Sequence, residues 1–234
     1  MIEAELKKLY KYDTLKSKTR YHKKNYIEGE NDLFAGIDVP SLRSLALKYK
    51  DKVPKEELKK LLKHKVHEHR LLGLLILTYK MKKADIIEQK EIVDLYIEHL
   101  DYINNWDLVD LSAHYILGKY FYNIQDYSFL FKLSLSENLW YKRISIVSTL
   151  ILIRYNKLSV TLDLVDNLIK DEHDLIHKAC GWMLRELGKK DIDLLTRYLK
   201  DNYVLMPRTM LRYAIEKYPK EIRQRILKGD FLWL

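Results

Sequence analysis

Apolar residues recur every three or four positions along almost the whole chain, which is the spacing of one face of an α-helix. The 234 residues include only seven glycines and four prolines, too few turn-forming residues for a β-sandwich, a barrel or a doubly wound sheet. Hydrophobic residues make up 47% of the chain, which is ample for a packed core. These features predict an all-α protein and argue against a disordered one.

The periodicity predicts a series of helices along the chain. They span residues 2–12, 17–27, 39–49, 54–64, 67–82, 85–99, 105–120, 126–135, 138–154, 159–170, 173–188, 190–201, 207–217 and 219–227. Four predicted first turns begin at a proline, where the missing amide hydrogen is tolerated: Pro40, Pro54, Pro207 and Pro219. Asn105 is placed as the N-cap before Trp106, and Gly188 as a C-cap.

The helical pattern also repeats along the chain. Four long segments align in register, with Arg70, Asp107, Arg143 and Lys178 in equivalent places at spacings of 37, 36 and 35 residues. A long helix paired with a shorter one at this period is typical of HEAT or armadillo repeats, which stack into a curved array. We therefore predict a single HEAT-like repeat domain, a helical solenoid, over residues 1–234, with its function on a concave groove.

The formal net charge of +9 is unevenly distributed. Residues 1–65 carry 17 basic and ten acidic side chains, residues 66–184 carry 13 and 16, and residues 185–228 carry twelve and six. The two basic ends suit a polyanion gripped at two places, although a solvated surface explains the charge equally well. The densest basic cluster comprises Lys16, Lys18, Arg20, Lys23 and Lys24, with Tyr21 and His22 among them.

Several function classes find no support in the sequence. The longest charge-free stretches, Leu71 to Tyr79 and Ile144 to Ile153, are half the length of a membrane span. No apolar signal region follows Met1, and the single Cys180 cannot form an internal disulfide, so we expect a soluble cytoplasmic protein. The histidines between residues 64 and 69 lack metal-site spacing, and no glycine-rich loop is present; we expect neither a metal nor a cofactor.

Three tryptophans lie on the repeated long helices: Trp106, Trp140 and Trp182. Large aromatic residues usually pack in a core, and this is the simpler interpretation of each. Trp106 and Asp110, however, are four residues apart and share one helix face. Asp110 lies beyond the first turn, so capping does not explain its charge. It is either a surface residue or a carboxylate with a chemical purpose.

Five segments together resemble a known family, although each alone is weakly specific. They are FAGIDVPSLRSLA (34–46), HEHR (67–70), NWDLVD (105–110), NLWYKR (138–143) and IHKACGWMLRELGKKD (176–191). In their order and separation they resemble the AlkD-like DNA alkylation-repair glycosylases, which are built from HEAT-like repeats. The resemblance runs from about Tyr21 to Tyr218. It implies a lesion site at Trp106, Asp110 and Trp182, and a phosphate contact at Arg143.

The resemblance also implies that DNA is tracked through its phosphates and that the damaged base is not enclosed. Further candidate DNA contacts are Lys142, Arg208, Arg212, Tyr21 and Arg43. The GIDVP segment matches a family stretch that approaches the strand opposite the lesion. Here Asp38 and Val39 replace polar uncharged residues, and Asp38 would repel phosphate.

These inferences together predict a monofunctional DNA glycosylase. It would act as a monomer on double-stranded DNA that contains alkylated purines, and hydrolyse the N-glycosidic bond of cationic N3- or N7-alkylated bases. Asp110 would stabilise the oxocarbenium-like sugar. Two alternatives remain open: a non-catalytic HEAT scaffold that binds protein or nucleic acid, and a family member that binds damaged DNA but turns over poorly.

Overall fold

The computed structural model describes residues 2–11 and 32–231, and the regular structure within these ranges is helical. The α-helices are α1 (Ile2–Lys8), α2 (Val39–Tyr49), α3 (Lys55–Leu62), α4 (His67–Met81), α5 (Ile86–Glu98), α6 (Trp106–Asp110), α7 (Lys119–Ile124), α8 (Ser128–Ser134), α9 (Leu139–Arg154), α10 (Ser159–Leu168), α11 (Asp174–Gly188), α12 (Ile192–Asn202), α13 (Arg208–Ala214) and α14 (Lys220–Leu227). A 3₁₀ turn spans Leu100–Tyr102, and a π-helical turn spans His114–Gly118. The chain divides into two compact units, Met1–Ser112 and Ala113–Leu234.

Helix α4 forms the centre of the first unit. It packs against α2, α3, α5 and α6, and nearly all of its residues are buried, polar ones included. Gly73 allows α3 to approach, because a Cβ atom at this position would lie 3.0 Å from Leu62 Cδ2. The short α6 is anchored by Leu108 and Val109, which are fully buried. The helix that carries Trp106 and Asp110 is therefore fixed on the core helix of this unit.

Helices α9 and α11 form the centre of the second unit. Helix α9 packs against α8, α10 and α11, and α11 packs against α12 and α13. Gly181 brings α11 and α13 together, since a Cβ atom there would lie 2.5 Å from both the Met210 carbonyl oxygen and Tyr213 Cβ. Gly118 makes a similar approach, and a Cβ atom there would overlap the Ser148 carbonyl oxygen. Close backbone packing thus explains two glycines inside helices.

The prediction of an all-α protein is confirmed, and most predicted helices lie within a few residues of the observed ones. Pro40 lies in the first turn of α2, whereas Pro54, Pro207 and Pro219 each directly precede the first helical residue. The helix predicted over residues 17–27 lies outside the described residues. None of the described helices has the length and the apolar character needed to cross a membrane.

Two local predictions were wrong. The helix predicted over 105–120 is interrupted after Asp110, where the Ser112 amide bonds to the Val109 carbonyl three residues back and the Ser112 hydroxyl donates to the Leu108 carbonyl at 2.6 Å. Gly188 is the last residue of α11 and not a left-handed C-cap. Its small size serves packing, because a Cβ atom would overlap the Leu195 side chain on α12.

Candidate active site

Trp106 and Asp110 occupy the two ends of α6. The Asn105 side chain accepts a hydrogen bond from the Trp106 amide at 2.9 Å, which confirms the predicted N-cap and sets the point at which the helix begins. The five-residue helix then places Asp110 one turn away on the same face. Both side chains are partly buried. The structure therefore brings these two predicted site residues together.

A cavity of about 360 Å³ in the first unit opens beside this pair. Its apolar wall consists of Phe34, Ile37, Val39, Leu71, Trp106 and Leu111. Its polar lining consists of His67, Glu68, Asp107 and Asp110. A largely apolar cavity with a few polar groups is the usual character of a ligand site. Asp110 thus faces a space that can hold a small organic group.

A buried ionic cluster supports one wall of the cavity. His67 Nε2 lies 2.9 Å from Asp107 Oδ2, and His67 Nδ1 lies 3.3 Å from Asp32 Oδ2. Burial of the ring opposes its charge, but the Asp107 carboxylate and the hydrogen bonds to both acids outweigh burial and raise the pKa of His67 to about 9. His67 is accordingly an imidazolium that donates from both nitrogens.

Asp32 joins this cluster to the start of α6. Its second oxygen accepts a hydrogen bond from Arg70 at 2.7 Å, and Arg70 also donates to Asn104 Oδ1 at 3.0 Å. Burial opposes ionisation of Asp32, yet the His67 hydrogen bond and the Arg70 charge lower its pKa below the ordinary value. Helix α4 is thereby tied to the segment that leads into Asn105 and α6.

Glu68 fixes another part of the cavity wall. Its carboxylate accepts hydrogen bonds from the amides of Ala35 and Gly36, at 2.8 and 2.9 Å, and the residue is 1% exposed. These bonds hold the residues that enter the GIDVP segment, and Gly36 there has a φ of 78°, which glycine tolerates best. Sequence reasoning missed this structural role of HEHR. The sequence did contain a signal for this role, because the polar residues of HEHR (67–70) begin a helix that is otherwise largely apolar.

Asp38 and Val39 have separate roles in the same segment. Asp38 caps α2 by accepting a hydrogen bond from the Ser41 amide at 2.9 Å, and it pairs with Lys11 at 3.0 Å. The Ser41 amide and the Lys11 ammonium both hold the pKa of Asp38 well below its usual range. Repulsion of phosphate by Asp38 stays a prediction, because this carboxylate is paired with the Lys11 ammonium. Val39 lines the cavity.

The second unit contains Trp182, Arg143 and Lys142. Trp182 is partly buried on α11. Arg143 is 5% exposed, and its guanidinium donates to the Leu175 carbonyl oxygen at 2.6 Å, in the first turn of α11. Lys142 pairs with Asp171 at 2.8 Å. Both basic residues thus have partners within the second unit. Their contacts with DNA phosphates stay predictions. The predicted lesion site that joins Trp182 to Trp106 and Asp110 also stays a prediction.

The other predicted DNA contacts differ in exposure. Arg208 and Arg212 are exposed on α13, and Arg208 donates to the Leu227 carbonyl oxygen at 2.8 Å. Arg43 is partly buried on α2. Tyr21 and the basic cluster around it lie outside the described residues. Exposed cations are therefore available on α13 for a polyanion.

Two other residues of the second unit with reactive side chains, Cys180 and Lys178, lie in contacts that indicate structural roles. Cys180 is fully buried, and burial raises the pKa of its thiol, which suits a packing residue and not a nucleophile. Lys178 pairs with Asp174 at 2.6 Å. In the described part of the chain, no three histidine, cysteine or acidic residues are grouped to hold a metal ion.

Comparison with known proteins places this chain in a class of helical-repeat DNA repair proteins. The sequence model of the DNA alkylation repair enzyme family matches residues 2–218, so the chain belongs to this family. A search of curated proteins finds no match.

Solved structures show a similar fold. A predicted DNA alkylation repair enzyme from Enterococcus faecalis is 19% identical, with a TM-score of 0.71 over 90% of this chain and 97% of that one. AlkD2 from Streptococcus mutans is 18% identical, with a TM-score of 0.57 over 88% and 98%. The protein smu.31 from Streptococcus mutans UA159 is 19% identical, with a TM-score of 0.54 over 84% and 92%. The prediction of an AlkD-like family and helical-repeat fold is confirmed.

Proposed function

We propose that this protein is a DNA glycosylase that removes cationic N3- or N7-alkylated purines from duplex DNA and leaves an abasic site. One observation carries the proposal: Asp110 and Trp106 lie one turn apart on the same short helix and both line one cavity. Membership of the DNA alkylation repair enzyme family supports the substrate.

Cleavage of the glycosidic bond of a cationic base needs a negative charge beside the sugar more than it needs an acid to protonate the base. Alkylation at N3 of adenine or N7 of guanine makes the base cationic, so the base leaves as a neutral group without being protonated. Positive charge then develops on the sugar as the glycosidic bond breaks. Asp110 would stabilise this charge and orient the attacking water, as one carboxylate does in glycoside hydrolysis. Water supplies the hydroxyl group of the abasic sugar and releases one proton.

The indole rings provide the preference for a charged base. The face of a tryptophan ring attracts a cation within about 6 Å, with an energy of about 0.5–2 kcal/mol for each contact. Trp106 would supply one such contact, and we assign the second to Trp182. A neutral purine gains little from these rings. Selection therefore depends on charge more than on hydrogen bonds to the base edge.

Duplex binding would use basic side chains outside this site. The chain has a net charge of +9, and Arg208 and Arg212 are exposed. Each phosphate that a cation neutralises releases condensed counterions, which gives affinity without sequence preference. We assign DNA backbone contacts to Arg208 and Arg212 first, and to Arg143, Lys142, Arg43 and Tyr21 after them.

The test is product analysis on defined duplexes. Purified protein is incubated with duplexes that carry a single 7-methylguanine or 3-methyladenine, and with the matched unmodified duplex. We expect release of the free alkylated base and an abasic strand that alkali cleaves, with no release from the unmodified duplex. Binding to alkylated duplex without any base release under single-turnover conditions would instead support the scaffold or poor-turnover alternatives.

A further inference from the structure

We propose that another cavity of the first unit binds phosphates of the DNA backbone beside the lesion. The inference rests on the proposed function and extends it, because it adds residues to which no DNA contact has been assigned. This cavity measures about 810 Å³ and is lined by four lysines, which are Lys59, Lys60, Lys63 and Lys65. We call it the lysine cavity. Its ligand class is the phosphodiester of duplex DNA.

The lining of the lysine cavity is positively charged. Its two acids are Glu56 and Glu98, so four ammonium groups face two carboxylates. Glu98 is shared between two of the lysines, because its Oε1 lies 3.3 Å from Lys59 Nζ and 4.0 Å from Lys63 Nζ. The Lys59 hydrogen bond lowers the pKa of Glu98, which is therefore ionised at pH 7. The remaining positive charge favours an anion.

Lys60 and Lys65 supply this remaining charge. Both residues are exposed, and within residues 2–11 and 32–231 neither side chain has an ion-pair partner. A phosphate can therefore approach these ammonium groups without breaking an ion pair. Each phosphate that such a cation neutralises releases condensed counterions, which favours binding at low salt concentration.

His64 adds a neutral hydrogen-bond donor to the same lining. Its Nδ1 accepts a hydrogen bond from the Val66 amide at 3.0 Å, so the proton of the neutral ring lies on Nε2. Burial lowers the pKa of His64, which keeps the ring neutral at pH 7. The ring stacks on His69 with centroids 3.7 Å apart, and this contact fixes its orientation. The cavity thus offers both cations and a neutral donor to phosphate oxygens.

Arg70 ties the lysine cavity to the candidate active site. One nitrogen of its buried guanidinium donates to the His64 carbonyl oxygen at 2.9 Å. The other donates to Asn104 Oδ1 at 3.0 Å, just before α6 begins. A single side chain therefore holds both the loop that carries Lys65 and the segment that leads to Trp106. A phosphate bound at this loop would have a fixed position relative to α6.

The lysine cavity and the cavity beside Trp106 share a wall. Leu33 and Val66 line the first, and the next residues along the chain, Phe34 and His67, line the second. The His67 amide donates to the Leu33 carbonyl oxygen at 2.8 Å, which joins the two segments. Consecutive Cα atoms are about 3.8 Å apart, and one DNA strand carries a phosphate about every 3.4 Å along the helix axis. A duplex with its lesion at Trp106 would therefore bring phosphates to the lysine cavity.

The salt dependence of duplex binding tests the site. In Lys60→Gln/Lys65→Gln the slope of log affinity against log salt concentration should fall by about two, equally for alkylated and unmodified duplex. The matched control is Lys52→Gln/Lys55→Gln, which removes two exposed lysines around the start of α3 and should keep the wild-type slope. Fluorescence anisotropy measures the slopes, and circular dichroism checks folding. A wild-type slope in the folded cavity variant would overturn the proposal.

Site-directed cross-linking locates the contact. Cys180 is the only cysteine of the chain and is fully buried, so Lys65→Cys carries one accessible thiol. Duplexes are prepared with a disulfide-bearing tether on one backbone phosphate at a time. Cross-linking should peak when the tether lies within about three nucleotides of the lesion, and Lys52→Cys should show no such peak. Equal yields along the duplex, or from the two variants, would overturn the proposal.

A free phosphate compound could use the same chemistry. Isothermal titration calorimetry with tripolyphosphate separates this source from DNA, and we expect duplex to bind at least about tenfold more tightly. Tripolyphosphate binding that is lost in Lys60→Gln/Lys65→Gln, together with an unchanged salt slope, would assign the cavity to a free phosphate compound and overturn the DNA contact.

Base release separates this inference from the proposed function. Lys60→Gln/Lys65→Gln should release 7-methylguanine at the wild-type single-turnover rate when the protein saturates the duplex, and more slowly below saturation. A wild-type protein that releases no base, with the expected difference in salt slope, would support the lysine cavity and contradict the glycosylase proposal. Normal base release with equal slopes would have the opposite meaning.

Discussion

His67 Nε2 lies 2.9 Å from Asp107 Oδ2, three residues before Asp110 on the same helix. The contact joins the buried centre of α4 to the short helix that carries the candidate catalytic carboxylate. A five-residue helix has little stability of its own, so its position depends on such contacts and on its buried face. The geometry of Trp106 and Asp110 is therefore a consequence of packing and charge pairing in the first unit.

Removal of His67 should destabilise the protein strongly. In His67→Asn the carboxylates of Asp32 and Asp107 lose their shared cation, and breaking a buried ion pair costs about 3–5 kcal/mol. The control is Lys90→Met, which breaks the exposed Lys90 to Asp94 pair and should cost under about 1 kcal/mol. Urea unfolding measures both. A loss in His67→Asn no greater than that in the control would contradict the assigned role.

The same histidine predicts a pH dependence of stability. The pKa of His67 is about 9 in the folded protein and about 6.5 in an unfolded chain. Because the folded protein binds this proton more tightly than the unfolded chain does, the charged His67 stabilises the folded protein fully below pH 6.5. This stabilisation is lost as the pH rises through 9. The loss should be about 3 kcal/mol across this window, measured by urea unfolding at each pH. In His67→Asn the free energy of unfolding should not fall in this way between pH 6.5 and 9. A variant with the same pH dependence as wild type would contradict the role assigned to His67.

Substitution of Gly181 should be costly in the second unit. In Gly181→Ala the new methyl group would lie 2.5 Å from the Met210 carbonyl oxygen, so α11 and α13 must separate. Overpacking of this kind costs about 1–3 kcal/mol. Gly73→Ala is the matched control, because its Cβ would meet the flexible Leu62 side chain at 3.0 Å, and we expect a change within about 1 kcal/mol. Thermal unfolding of the two variants would reveal the difference, and equal melting temperatures would contradict it.

Arg212 should contribute to DNA affinity through charge alone. Arg212→Gln should weaken binding to modified and unmodified duplex to the same extent, and reduce the slope of log affinity against log salt concentration by about one. Lys90→Gln on α5 is the control and should leave the slope unchanged. Fluorescence anisotropy across a salt series measures both slopes. Equal slopes for wild type and Arg212→Gln would remove this residue from the DNA contacts.

The helices were largely predictable because apolar residues recur at helical spacing, and the Asn105 cap follows from its side chain. The repeat register was informative as well. Arg70, Asp107 and Arg143 occupy equivalent places, and the structure finds each in a polar contact within its own unit. A residue that recurs in register can therefore be structural in several repeats.

Other features depended on tertiary contacts that local patterns do not encode. Asp32 lies 35 residues before His67 in a segment without helical periodicity, so nothing in the sequence pointed to their pairing. The interruption after Asp110 depends on Ser112, whose hydroxyl also contacts Tyr96 at 3.0 Å. The closeness of Trp106 and Asp110 was predictable from spacing, whereas the cavity beside them required the fold.

In the proposed function, the Asp110 charge would stabilise the transition state for base release. Single-turnover release of 7-methylguanine from duplex DNA by Asp110→Asn, compared with wild type, tests it most directly. Asp94→Asn, an exposed carboxylate on α5, is the matched control and should retain the wild-type rate. We predict a rate at least about 100-fold lower for Asp110→Asn, with unchanged duplex affinity. Equal rates for Asp110→Asn and wild type would contradict the account.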